Sequence, residues 1–146
     1  MYLVDASALV NILLSVNDAE ELIKLLRGAY ILDLTVYEFN NALWKLATIT
    51  KKIGKEAAKI GAEILEWLIS NGTLYVLSEH KNLGERISAA IEKRINFYDY
   101  SYIHAAKSKR LILVSDDKGM RINAKNFGVT SINTKEFIKR VINRGD

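Results

Sequence analysis

Short apolar runs alternate with longer amphipathic stretches along the whole chain. Tyr2-Leu3-Val4 reads as a buried strand that meets a charge at once, in Asp5. Ala6 to Ser15 is an apolar helix, and Asp18 opens a second, Ala19 to Arg27, which Gly28 ends. Ala29 to Leu34 gives the next strand. Thr35 to Lys52 is a long helix with Val36, Phe39, Leu43, Leu46 and Ala47 at helical spacing, broken by Gly54. Lys55 to Ser70 is another amphipathic helix, stopped by Asn71-Gly72. Leu74 to Leu77 is a third strand, followed by a helix around Leu83 to Arg94 and another from Asp99 to about Lys109. Leu111 to Val114 and Val129 to Ile132 are strands, separated by a short helix, Lys118 to Asn126. Thr134 to Asn143 closes the chain as a helix.

Apolar strands alternating with helices imply parallel pairing through right-handed crossovers. The expected fold is a three-layer α/β/α sandwich around a central parallel five-stranded sheet. No linker, repeat or low-complexity segment interrupts it, so residues 1–146 are expected to form a single domain. In such sheets a ligand binds beyond the carboxyl ends of the strands, where the winding direction reverses.

Four acids fall where an apolar strand gives way to a helix: Asp5, Glu38, Asp99 and Asp117. Asp5 and Asp117 directly follow strands, and Glu38 and Asp99 sit in first helical turns. All four are therefore expected at one sheet edge. Crowded carboxylates repel and raise the cost of keeping each ionised, so a fold that gathers them usually holds a divalent cation. Oxygen ligands without cysteine suit a hard ion, Mg²⁺ or Mn²⁺, rather than zinc.

Each acid also has a structural reading. Asp5, Asp99 and Asp117 fit helix N-caps, and Thr35-x-x-Glu38 fits a capping box. Asp18 is a cap with no strand before it, and nothing more is assigned to it. Asp33, at the end of the second strand, is the best rival for a place in the cluster. Asp116 and Asp117 point in different directions, so one of them is expected to reach a metal.

Composition adds constraints. Cys 0 excludes disulfides and thiolate metal sites. Met1-Tyr2-Leu3-Val4-Asp5 lacks a basic leader region, and no apolar run approaches the roughly 18 residues of a membrane span. A cytoplasmic protein with no membrane partner is expected. The net charge of +4 is unevenly spread. Residues 1–80 hold 7 Lys/Arg against 10 Asp/Glu, a balance of −3; residues 81–146 hold 14 against 7, a balance of +7. A basic half beside an acidic cluster suits a protein that attracts a polyanion while keeping a cation, although a solvated surface explains charge alone.

Other side chains offer no competing chemistry. His80 sits in a polar turn and His104 falls mid-helix, neither with an acid–base partner nearby in sequence. Ser7 lacks the Gly-x-Ser-x-Gly context of an acyl-transfer nucleophile. Phe97, Tyr98, Tyr100 and Tyr102 flank Asp99. Stacking on bases is open to them, but Phe97 and Tyr98 are expected to cover the core ahead of the helix. Trp44 and Trp67 read as core or as surface covered by a partner. Leu9, Ile12 and Leu13, with Ile64, Leu65 and Leu68, form apolar stripes that suit a homodimer seam or a groove for a partner segment.

The segments Val4-Asp-Ala-Ser-Ala-Leu-Val10, Tyr37-Glu-Phe-Asn-Asn-Ala-Leu-Trp-Lys45, Tyr98-Asp-Tyr-Ser-Tyr-Ile-His-Ala-Ala106 and Leu113-Val-Ser-Asp-Asp-Lys118 resemble the successive motifs of PIN-domain nucleases, in the same order and over nearly the whole chain. The likeness is to the small, free-standing VapC-type toxins of toxin–antitoxin pairs. It matches Asp5 and Ser7, Glu38 and Asn41, Asp99, and Ser115 with Asp117, leaving Asp116 as the variable middle residue. The resemblance implies a metal-dependent endoribonuclease, with Asp5, Glu38, Asp99 and Asp117 as catalytic residues and ligands of Mg²⁺ or Mn²⁺. It implies Ser7, Asn41 and Ser115 as orienting groups, RNA as substrate and a cognate antitoxin as partner. The rivals are a PIN nuclease of RNA processing or quality control and a non-catalytic RNA-binding module. A phosphorelay receiver is disfavoured, because Val4 precedes a single Asp5 and Leu77 is followed by Ser78-Glu79.

Overall fold

A computed structural model describes residues 1–144. Five parallel strands form one sheet: β1 (Tyr2–Val4), β2 (Ala29–Leu32), β3 (Leu74–Leu77), β4 (Ile112–Val114) and β5 (Ser131–Ile132), in the order β3-β2-β1-β4-β5. Eight helices connect or follow them: α1 (Ala6–Ser15), α2 (Ala19–Leu26), α3 (Asp33–Thr48), α4 (Lys55–Ser70), α5 (Leu83–Lys93), α6 (Phe97–Lys109), α7 (Lys118–Asn126) and α8 (Thr134–Asn143). The expected three-layer parallel sandwich is the observed one.

Alternation along the central strand builds the layers. Tyr2 and Val4 face a core made with α1, α2, α3, α4 and α8, including Leu9, Ile12, Phe39, Leu43, Leu65, Leu68 and Phe137. Leu3, between them, points to the other face and packs with Tyr102, Ile103, Ala106, Met120 and Ala124 of α6 and α7. Side chains of period two on a strand covered on both sides must be apolar throughout, and all three residues of β1 are buried. Register runs Tyr2↔Ile112, Leu3↔Leu113 and Val4↔Val114, so the residues that follow β1 and β4 emerge side by side. The winding moves outward from β1 to β3, then crosses back to β4. The reversal therefore lies between β1 and β4, where a ligand site is expected.

Several boundaries differ from the sequence reading. β2 stops at Leu32 and α3 begins at Asp33, because the Thr35 hydroxyl reaches back to accept the Leu32 N–H at 3.0 Å. α3 ends at Thr48 rather than Lys52. α6 starts at Phe97, since Asn96 and not Asp99 caps it. Tyr98 is 60% exposed instead of covering the core. Trp44 and Trp67 are also exposed in the single chain. Leu9, Ile12, Leu65 and Leu68 are fully buried, so these stripes serve this chain's own core and are not surplus surface.

One buried charge ties the second layer together. Arg86 of α5 is 3% exposed, and its guanidinium donates to the Glu79 carbonyl, to the Lys81 carbonyl at 3.5 Å and to Ser101 Oγ at 3.0 Å, over the Phe97 ring. Hydrogen bonds to charged groups contribute about 1.5–3 kcal/mol each where buried. Arg86→Met keeps the stem but leaves those acceptors bare. It is expected to lower unfolding free energy by about 2–3 kcal/mol in urea titration; a loss below about 0.5 kcal/mol would show that the bonds are dispensable.

Candidate functional site

β1 ends at Val4, and the next residue turns the chain into α1. Asp5 caps that helix: its Oδ1 accepts the Ala8 N–H at 2.9 Å and the Ser7 hydroxyl at 2.7 Å. A carboxylate suits a helix start, where free N–H groups carry partial positive charge. Asp5 is nevertheless 4% exposed. Burial pushes its carboxyl above the usual range; bonds from Ser115, Ala8 and Ser7 work against that, and Asp116 adds repulsion.

Glu38 lies on α3, one turn beyond Thr35, and takes no part in capping. Its Oε1 accepts the Tyr102 hydroxyl at 2.8 Å, and that hydroxyl also lies 2.7 Å from Thr35 Oγ1. Burial raises the Glu38 carboxyl, the Tyr102 bond lowers it, and the charges of Asp5 and Asp99 raise it further. Asp99 is the third residue of α6. Asn96 Oδ1 accepts its N–H at 2.9 Å, and Asn96 Nδ2 donates to its Oδ2 at 3.0 Å. Burial again raises the carboxyl, opposed by Asn96 and assisted by Asp117. Asp117 caps α7, accepting the Met120 N–H on Oδ1 at 2.9 Å.

Repulsion thus links Asp5 to Glu38, Glu38 to Asp99 and Asp99 to Asp117. The four acids are strung along the edge beyond β1 and β4, each within electrostatic reach of the next. Glu38, Asp99 and Asp117 each keep one carboxylate oxygen without a hydrogen-bond partner among the described residues. Ser7 and Ser115 join the two central motifs: Ser7 Oγ accepts the Asp116 N–H at 3.0 Å, and Ser115 Oγ accepts the Asp117 N–H at 3.1 Å. Asn41 is exposed on α3, and no hydrogen bond ties it to the acids among the described residues.

The two rivals point elsewhere. Asp33 bonds the Leu34 N–H and His80 Nε2, the latter at 2.9 Å. Asp116 accepts from the Thr134 N–H at 2.8 Å, the Thr134 hydroxyl at 2.6 Å and Asn11 Nδ2 at 2.6 Å. Burial works to raise its carboxyl, but Thr134, Asn11 and the nearby Arg121 outweigh burial and hold it below the usual range. Asp116 fastens α1 and α8 to the end of β4, while its neighbour Asp117 faces the acids. His104 is half-buried, its imidazole pushed down by burial and by Arg86 against the opposing charge of Glu79. Sequence reasoning missed Tyr102 as the group that orients Glu38. The available signal was its position three residues after Asp99, on the same helical face.

The PIN domain family matches residues 2–126. The chain belongs to the PIN-domain family. Over 133 residues it is 34% identical to the exonuclease VapC9 of Pyrobaculum aerophilum, an alignment that covers 91% of each protein. The crystal structure of PAE2754 from Pyrobaculum aerophilum superposes with a TM-score of 0.75 at 33% identity, covering 97% of this chain and 94% of that one. The structure of FitAB bound to an IR36 DNA fragment shares the fold, with a TM-score of 0.58 at 16% identity over 92% of this chain and 95% of that one. This is a PIN nuclease of the VapC type. Among its described residues, no helix is long and apolar enough to cross a membrane.

The raised carboxyls carry a signed consequence. Asp5, Glu38 and Asp99 bind protons more readily folded than unfolded, so their contribution to stability is full below the unfolded value and lost as pH rises through the raised one. Asp116 behaves oppositely, losing its contribution only as pH falls through its lowered value. In chelator, the melting temperature of the PIN protein should rise as pH falls from neutral towards the ordinary carboxylate range. Asp5→Asn should melt no lower than the parent at pH 7 and show a shallower rise. A parent indifferent to pH, or a variant with the steeper rise, would refute the raised carboxyls.

Proposed function

We propose that this PIN nuclease hydrolyses RNA phosphodiester bonds with Mg²⁺ or Mn²⁺ held by Asp5, Glu38, Asp99 and Asp117. The supporting observation is the chain of mutually repelling carboxylates at the reversal between β1 and β4, three of them with an oxygen left over. The donor set fits a hard cation: all oxygen, anionic and second-row. Among the described residues no three such groups stand close enough to enclose an ion directly. Asp99 and Asp117 each have one oxygen engaged locally, by Asn96 and by the Met120 N–H. A strongly hydrated ion that takes one or two carboxylates directly and keeps several waters accommodates that spacing.

A divalent ion supplies two things to such a site: it acidifies coordinated water, and it offsets the charge that builds on phosphate. The chain's own residues do the rest. Ser7 and the Ala8 N–H fix Asp5, the Tyr102 hydroxyl fixes Glu38, Asn96 fixes Asp99, and Ser115 shapes the turn that presents Asp117. Ser7 and Ser115 act as orienting groups, and Asn41 joins them only where substrate or ion draws its side chain in.

Asp5→Asn exchanges an anionic ligand for a neutral one of the same shape. RNA cleavage should fall at least about a hundredfold, whereas Asp18→Asn, a cap outside the cluster, should cleave like the parent. Mn²⁺ should raise the melting temperature of the parent but not of Asp5→Asn. Full cleavage by Asp5→Asn, or by the parent in excess chelator, would refute the site. We infer an endonuclease, for which a circular RNA must be opened. The exonuclease VapC9, 34% identical, favours trimming from chain ends as the second reading, and an intact circle beside a degraded linear RNA would select it.

The VapC-type likeness supports a toxin of a type II toxin–antitoxin pair, acting in the cytoplasm with a cognate antitoxin. Expression of this chain alone should arrest growth, and co-expression of the neighbouring gene should restore it. Growth unaffected by soluble protein would remove the toxin role and leave the nuclease. A homodimer is supported by exposed Tyr37 and Trp44 on α3 and Ile60 and Trp67 on α4, two helices that pack together and share a groove whose apolar floor is flanked by Lys59, Glu63 and Glu66. Light scattering at micromolar concentration should report about twice the chain's 16.5 kDa; a monomer throughout would exclude that seam.

A further inference from the structure

The acid edge repels the substrate that the proposed function assigns to it. A polyanion needs anchorage elsewhere, and the position of the basic residues supplies it. A cleft of about 620 Å³ runs beside α7 and the approach to β5, lined by Lys118, Arg121 and Lys125 together with Ile122 and residues 128–131. A second, of about 270 Å³, is lined by Lys107 and Arg110 at the end of α6. The two clefts adjoin at Gly128, Val129 and Thr130, which line both. Five cations line the pair and no carboxylate does.

None of the five is engaged in an ion pair among the described residues. Arg121 spends one donor on the Ser115 carbonyl, at 2.8 Å, and keeps the others. Lys118, Arg121 and Lys125 follow one another at three- and four-residue spacing, on one face of α7. At the upper end of that face Lys118 is the residue next to Asp117, so the first cleft starts at the acid edge. At the lower end Arg110 sits beyond the last turn of α6 and Lys107 within it, at the opposite end of the sheet.

We propose that these adjoining clefts form a track for the phosphate backbone of single-stranded RNA, leading away from the carboxylates along α7 to Lys107 and Arg110. The inference rests on the nuclease reading for the identity of the polyanion. Its chemistry is that of regularly spaced phosphates: free cations in a row, apolar and backbone walls between them, and no acid to compete. A uniform row of charges carries no sequence information, so the track fixes the strand's position and direction while leaving base choice to other residues. An acidic polypeptide would present anions too, without the accompanying bases and with a different spacing.

The test is the salt dependence of binding in chelator, which prevents cleavage. The probe is a fluorescein-labelled 12-nucleotide RNA, read by anisotropy. Lys107→Ala/Arg110→Ala/Lys125→Ala should bind about tenfold or more weakly than the parent at 100 mM salt, with a slope of log affinity against log salt shallower by about 2, three lost contacts at about 0.7 each. Lys52→Ala/Lys55→Ala/Lys59→Ala removes the same charge elsewhere and should bind like the parent. Arg110 occupies a left-handed conformation (φ 54°) that glycine accepts more easily. Arg110→Gly should therefore keep or raise the melting temperature while losing affinity, which separates a lost contact from a damaged fold. Equal losses in both triple variants would reduce the effect to net charge and overturn the track. So would parental RNA affinity in the first variant, whether or not its affinity for polyglutamate falls. Failure of the parent to cleave RNA with metal would strike the nuclease reading alone, since the binding comparison stands without it.

Discussion

A carboxylate buried at the end of the central strand is the constraint around which the site is organised. Removing Asp5 from water disfavours its charge, and its neighbours at the same edge share that sign. The fold offsets this with local donors rather than with a cation of its own. An amide at the start of α1 and hydroxyls from both flanking motifs do the work, leaving the negative potential of the edge largely intact. An arginine in that place would neutralise the edge.

Capping a helix does not exhaust a carboxylate. Asp5 and Asp117 both cap helices, and each does so through one oxygen. A carboxylate has two oxygens, so a cap fixes the side chain's direction through one and, at Asp117, leaves the other without a partner among the described residues. Adjacent Asp116 shows what full structural use looks like: both oxygens are taken, by Thr134 and Asn11, and its carboxyl is held low instead of high. Two neighbouring residues of the same type thus take opposite roles because one faces donors and the other faces acids.

The sheet and its order of elements were legible because strand runs and helical periodicity are local properties. Capping partners were less so. Asp99 looks like a cap in sequence, but Asn96 reaches its amide first, and the helix begins at Phe97. Thr35 looked like the cap of a box with Glu38, but its hydroxyl turns back to Leu32. That freed Glu38 for Tyr102, 64 residues away, a contact that no local pattern encodes. Ile12 and Leu68 seemed surplus because a helix's apolar stripe does not say which neighbour covers it. Here α1 packs against α3 and α8 and α4 against α3 in the shared core, and nothing of those residues is left exposed. That the four acids would lie towards one edge was legible because strand ends and first helical turns position them, a constraint of topology that sequence order preserves.

The distribution of charge follows from the same physics. An edge that binds a divalent cation must stay anionic, and an anionic edge repels a polyanionic substrate before the cation arrives. Cations placed among the acids would pair with them and spoil both functions. The chain separates the two instead: the acids gather beyond β1 and β4, while lysines and arginines line the flank of α7 and the end of α6. The separation is visible even in the linear order, with −3 over residues 1–80 and +7 over residues 81–146. Because screening acts over about 8–10 Å at physiological salt, a strand held on the flank feels the nearby cations strongly and the remote acids weakly. Under the proposed function, only the phosphate brought to the edge would meet the carboxylates, and an ion held there would reverse the sign it encounters. Substrate positioning and charge reversal can then be met by different residues, neither set compromising the other.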